Sequence, residues 1–88
     1  MLFSVYVLQN PAGRLYVGST GDLKRRLDEH HQGLARWTKS RGPWQLVHSE
    51  EFETRAEAII RERQLKAGQG RQWLKLMLNG RASPPQAD

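Results

Sequence analysis

The chain has 88 residues, enough for one domain and short of the ~100–150 that a further core would need. It has no cysteine, which excludes disulfides and thiolate metal sites, and no apolar run approaches the ~18 residues of a membrane span. Fourteen basic residues against nine acidic ones leave a net charge of +5, and most of the basic ones are Arg, whose planar fork bonds two phosphate oxygens at once, so a polyanion is the expected partner.

The first residues lack the basic n-region and small-residue cleavage site of a signal peptide, so a cytoplasmic protein with no membrane partner is expected. Leu2 to Leu8 is a β-branched and aromatic run of strand length. Gln9 to Gly13 is turn chemistry, and Leu15 to Gly18 reads as the returning strand of a hairpin. Asp22 caps a helix expected to reach about His31 and to stop at Gly33. Basic charge is concentrated between Arg14 and Arg41, and residues 33–43 read as a basic loop. A strand restarts over Trp44 to His48. The capping box Thr54-Arg55-Ala56-Glu57 opens a helix over about 55–67, ended by Gly68 and Gly70. Gln72 to Leu78 is a short last helix, in which Trp73 is expected to pack in the core. The tail 81–88 has nothing to bury and is expected to be disordered. The order ββαβαα describes a small single α/β domain over residues 1–80, a three-stranded antiparallel sheet flanked by helices.

Polar residues recur along apolar faces. Leu23, Leu27 and Leu34 mark the buried stripe of the first helix. His30 lies on the same line, with Arg26 one turn before it. In the second helix Ile59, Ile60 and Leu65 are core candidates, and Glu62 borders them. Tyr6 and Tyr16 sit on neighbouring strands, each with a phenol that needs a partner if covered. Charged groups are rarely buried unless paired or working. The structural alternatives are an Arg26–Glu62 ion pair between helices, a satisfied core-edge histidine, and tyrosines that only pack. Thr20 is expected to organise the turn before Asp22. Other motifs fall away. Gly13 to Gly18 has P-loop glycine spacing, but Ser19 stands where Lys is required, so no nucleotide cofactor is expected. Glu29-His30-His31 is not the zinc-hydrolase pattern, and no serine has a defensible His and Asp arrangement.

Val5-Tyr6-Val7 followed by Tyr16-Val17-Gly18 resembles the paired motif of the GIY-YIG endonuclease superfamily, with valines flanking the tyrosine in the first half. The stretch from Tyr16 through Arg26 to His30 and the segment Glu62-Arg63-Gln64-Leu65-Lys66 are similar to the family's second block and glutamate helix. Thr38 to Pro43 resembles the small stand-alone bacterial members. The resemblance covers about residues 3–78. It implies a metal-dependent phosphodiesterase acting on DNA, with Tyr6, Tyr16, Arg26, His30 and Glu62 as the catalytic set. By this resemblance Glu62 holds one Mg2+ (or Mn2+) ion, Arg26 clamps phosphate, and Tyr6 and His30 support them. Tyr16 is then the base or the phenol that orients it. His30 is its rival, because an unperturbed imidazole titrates near ~6.5, where proton transfer is efficient.

Gly18 is expected to let the strand end approach substrate, and Arg25, Arg36, Trp37, Lys39 and Arg41 are the expected contacts to nucleic acid. Trp37 and Trp44 flank the basic loop, and aromatic rings beside positive charge stack unpaired bases, which favours single-stranded or structured DNA; the alternative for Trp44 is the core. Asn79 receives no role. The competing class is a nucleic-acid-binding module or adaptor without catalysis, which would need no magnesium.

Overall fold

A computed structural model describes residues 2–32 and 43–78. Their order is β1 (Phe3–Gln9), β2 (Leu15–Thr20), α1 (Leu23–His31), β3 (Gln45–Phe52), α2 (Arg55–Lys66) and α3 (Gly68–Leu78), the expected ββαβαα. The expectations for Leu34, Arg36, Trp37, Lys39, Arg41, Asn79 and the tail 81–88 lie outside the described residues. The sheet is antiparallel in the order β2-β1-β3, so β1 is paired on both sides and β2 forms an edge. None of the described helices is long and apolar enough to cross a membrane.

Local chemistry explains the element ends. The β1–β2 turn closes on Asn10, whose carbonyl accepts from Gly13 N–H at 2.9 Å and whose side-chain Oδ1 accepts from Arg14 N–H at 2.8 Å. Thr20 Oγ1 accepts from Asp22 N–H at 3.1 Å, organising the turn as expected, and Asp22 in turn caps α1 by accepting from Arg25 N–H at 3.2 Å. Thr54 and Glu57 form the reciprocal capping box of α2.

Side chains alternate across a strand, and this sorts the core into two layers. Val5, Val7 and Val17 face α2 and α3 and pack on Ala58, Leu65 and Leu74. Tyr6 and Leu8 face the other way, against Trp44, with Tyr16, Leu23 and Leu27 around them. The sheet therefore separates α1 from α2 and α3. Trp44 is buried and belongs to the core, which removes it as a platform for stacking bases. A bulge at Val47 interrupts β3, because Val7 pairs with His48 while Leu8 pairs with Leu46. The strand continues to Phe52, beyond the expected His48.

The glycines after α2 do not keep the chain out of helix. The extended residue is Ala67, and α3 begins at Gly68 rather than at Gln72. Gly70 lies within α3 and allows close packing: a Cβ there would strike the Gln64 carbonyl and stand 2.7 Å from Leu65 Cα. Ile60 is exposed rather than in the core. It lies two residues past the buried Ala58, roughly 200° around the helix. Trp73 is 40% exposed, and Leu74 takes the core position of α3. The Trp73 ring instead stands 5.6 Å from the Arg61 guanidinium and 5.6 Å from the His48 ring.

Candidate active site

Tyr6, Tyr16, Arg26 and His30 come together on the α1 side of the sheet. Tyr6 is central on β1 and almost fully buried, and its Oη lies 3.0 Å from His30 Nε2. Arg26 Nε donates to the same Oη at 3.3 Å. An arginine can only donate, so Tyr6 Oη accepts from Arg26, and the tautomer of the imidazole sets the direction of its bond with His30. The rings form a tilted cluster, with Tyr6 and Tyr16 centroids 6.2 Å apart and Tyr16 and His30 centroids 5.0 Å apart. Burial pushes the Tyr6 phenol up to about 12, partly opposed by Arg26, so it stays protonated. Burial, followed by the positive charge of Arg26, lowers the His30 pKa and favours the neutral ring.

Gly18 pairs directly with Tyr6 across the β1–β2 ladder. A Cβ at Gly18 would stand 2.6 Å from Tyr6 Oη and 2.7 Å from its Cζ. The space above Gly18 is therefore taken by the Tyr6 phenol. The lack of a side chain at Gly18 thus makes room for the Tyr6 phenol.

Glu29, which the sequence reading passed over, holds Arg26: Nη1 donates to its Oε1 at 2.7 Å. The spacing of three residues on one helix was the available signal. The bond to Glu29 comes first and the bond to Tyr6 second in keeping the guanidinium charged. Arg25 is largely exposed and stands 3.5 Å from the other Glu29 oxygen.

Glu62 lies on α2, beyond the opposite face of the sheet, so the Arg26–Glu62 pair considered above does not form. Its Oε1 accepts from Ser19 Oγ at 2.6 Å, and its Oε2 accepts from Lys66 Nζ at 2.6 Å. Ser19 was missed because only strand alternation turns it away from Tyr16 and Gly18 toward α2; Lys66 was legible as an i,i+4 partner. Burial pushes the Glu62 carboxyl up, but the bonds from Lys66 and Ser19 outweigh it and hold the pKa below the ordinary carboxylate value. At the outer edge of β2, Tyr16 and Lys66, the partner of Glu62, line one depression of about 370 Å³ with Leu15, Val17 and Arg71.

Glu62 already accommodates a cation, the Lys66 ammonium, on an oxygen of an anionic side chain that is 20% exposed. Among the described residues no group of three or more His, Cys, Asp or Glu gathers around a point. A lone hard carboxylate fits a largely hydrated divalent ion whose remaining ligands are water and substrate oxygens. It does not fit zinc closed by protein ligands.

A model of the GIY-YIG catalytic domain matches residues 2–75. A UPF0213 protein of Staphylococcus saprophyticus is 38% identical over 77 residues, covering 86% of this chain and 94% of the relative. One from Haloquadratum walsbyi is 44% identical over 64 residues, 72% of each chain. The solution NMR structure of UPF0213 protein BH0048 from Bacillus halodurans superposes with a TM-score of 0.55 at 32% identity, covering 88% of this chain and 85% of that one. The matched span takes in all three strands, α1, α2 and most of α3, so the similarity embraces the whole sheet and both helical layers. Sequence, fold and span agree: the chain belongs to the GIY-YIG domain family, among the small UPF0213 proteins.

Proposed function

We propose that this chain is a divalent-metal-dependent endonuclease hydrolysing phosphodiester bonds of DNA, with Tyr6, Tyr16, Arg26, His30 and Glu62 as its centre. Membership of a family whose members are generally endonucleases supports the reaction class. The observation that carries the residue assignment is the hydrogen-bonded Tyr6–Arg26–His30 cluster, whose neighbour Tyr16 lines the same depression as the Glu62-bound Lys66.

Each side chain has a part that its surroundings allow. Arg26, held permanently charged, donates to the phosphate as negative charge grows on its oxygens, which is stabilisation specific to the transition state. Tyr6, with its proton held by burial, positions Arg26 and His30 and takes no proton. His30 is buried and its Nε2 is engaged by Tyr6, so it acts as a positioning group. Tyr16 is only half-buried and lines the depression, which leaves it to orient or deprotonate the attacking water. Glu62 would hold the ion, Mg2+ or Mn2+, with Ser19 fixing one oxygen. A bound divalent ion supplies charge neutralisation at the phosphate and at the leaving oxygen.

The test is cleavage of end-labelled single-stranded, duplex and branched DNA by wild type and Glu62→Gln, with magnesium, with manganese and with chelator. The proposal requires metal-dependent products from wild type alone, while Glu62→Gln still binds DNA. Metal-independent DNA binding by both proteins, with no cleavage of any substrate, would replace this reading with that of a binding module. The same panel sets the preferred strand form.

A further inference from the structure

We propose that a channel along the outer edge of β2 carries a DNA strand into this centre, with Arg14, Arg71 and Lys75 as its phosphate contacts. The proposal rests on the nuclease reading for what happens at the inner end, whereas the binding itself does not. The inner part of the channel is the depression of about 370 Å³ that Tyr16 and Lys66 share with Leu15, Val17 and Arg71. A second depression of about 350 Å³ is lined by Gly13, Arg14, Leu15, Arg71 and Lys75. Leu15 and Arg71 border both, so the two depressions lie side by side along the edge of β2.

Its charge is of one sign: Arg14, Lys66, Arg71 and Lys75 line it, and no carboxylate does. Away from it, Arg25 and Arg26 pair with Glu29 and Arg61 pairs with Glu50; within it, Lys66 pairs with Glu62. Among the described residues no ion pair involves Arg14, Arg71 or Lys75. These cations lie in succession rather than converging on a point. Arg71 and Lys75 are one helical turn apart on α3, a rise of about 6 Å, so their side chains share a face. Lys66 continues the row to Glu62. A row of cations beside an apolar floor of Leu15 and Val17 matches a polymer with repeating phosphates, and a single phosphate ion would use only part of it. The row is also held in place. The close contact of Gly70 with Gln64 and Leu65 sets α3 against α2, and Arg71 N–H donates to Ala67 O at 2.9 Å. Sequence reading passed over these residues because Arg14 is separated from Arg71 and Lys75 by most of the chain.

The test is fluorescence anisotropy of labelled single-stranded and duplex oligonucleotides in chelator, so that no cleavage intervenes, across a salt series. The Arg14→Ala/Arg71→Ala/Lys75→Ala variant is expected to lose at least about tenfold in affinity near physiological salt. For the single strand its log–log salt slope should be shallower by about 2, from ~0.7 for each lost phosphate contact. As a charge control, Arg55→Ala should bind within about twofold of wild type while Arg71→Ala does not. Wild-type affinity and slope in the triple variant would overturn the proposal. Amide shifts of wild-type protein titrated with the same DNA give a reading that does not depend on the variant's folding. They should concentrate in residues 13–17 and 67–75, and shifts confined to other surfaces would also overturn it. Cleavage is scored separately: DNA bound through the channel but never cut removes the nuclease reading alone, and DNA cut without using the channel removes this one alone.

Discussion

Replacing Gly18 by Ala puts a methyl group where the Tyr6 phenol already lies. The new Cβ would be 2.7 Å from Tyr6 Cζ, whereas carbon–carbon contact begins near ~3.5 Å, so ring or strand must give way by about 0.8 Å. The strand is fixed by its ladder to β1, and the ring is buried against Leu8 and Trp44. The Arg26–Tyr6 bond is already 3.3 Å long, so a displacement of that size along it would take it past hydrogen-bond range. Overpacking of this kind costs roughly 1–3 kcal/mol. In a domain of this size each kcal/mol lowers Tm by about 4–8 °C. Thermal unfolding by circular dichroism measures the first effect and single-turnover DNA cleavage the second. The double variant Tyr6→Leu/Gly18→Ala should lose less stability than the two single changes added together, because the colliding ring is gone. A Gly18→Ala protein with wild-type Tm and wild-type turnover would refute the argument.

His30 makes stability pH-dependent in a window of its own. Its folded pKa is lowered, so the unfolded chain takes up the proton first, and stability should fall as pH drops below the unfolded value of ~6.5. His30→Gln should flatten the urea-unfolding profile between about pH 6.5 and 5, above the range where carboxylates titrate. Tyr16→Phe should lower single-turnover cleavage by about 100-fold or more, the usual scale of a lost proton-transfer group, with DNA affinity within a few-fold of wild type. If cleavage survives in Tyr16→Phe and is lost in His30→Gln at unchanged Tm, the base assignment passes to His30. Gly70→Ala sets helix propensity against contact: in an open helix Ala gains about 1 kcal/mol over Gly, but here its Cβ meets the backbone of Gln64 and Leu65. A lowered Tm is expected, and a raised one would dismiss the close approach of α3 to α2.

Much of this molecule is legible without coordinates, because the signals are local. Strand alternation, the Asp22 cap and the Thr54–Glu57 box act within a few residues, and they correctly anticipated the ββαβαα order. The polar residues on apolar faces named Tyr6, Tyr16, Arg26 and His30, which the fold gathers, and Glu62, which it places with Ser19 on the other side of the sheet. What each side chain faces was decided only by the fold. The Tyr6–Gly18 register fills the space over Gly18 with a phenol, and alternation along β2 turns Tyr16 to one side of the sheet and Ser19 to the other, toward Glu62. The packing of α3 on α2 makes Gly70 a point of contact, leaves Trp73 at the surface and aligns Arg71 and Lys75 with Arg14 from a distant hairpin. A backbone's local preferences extend about one turn or one strand. Shared space and accumulated charge depend on residues brought together from opposite ends of the chain, and those contacts exist only once the sheet and its two helical layers have closed.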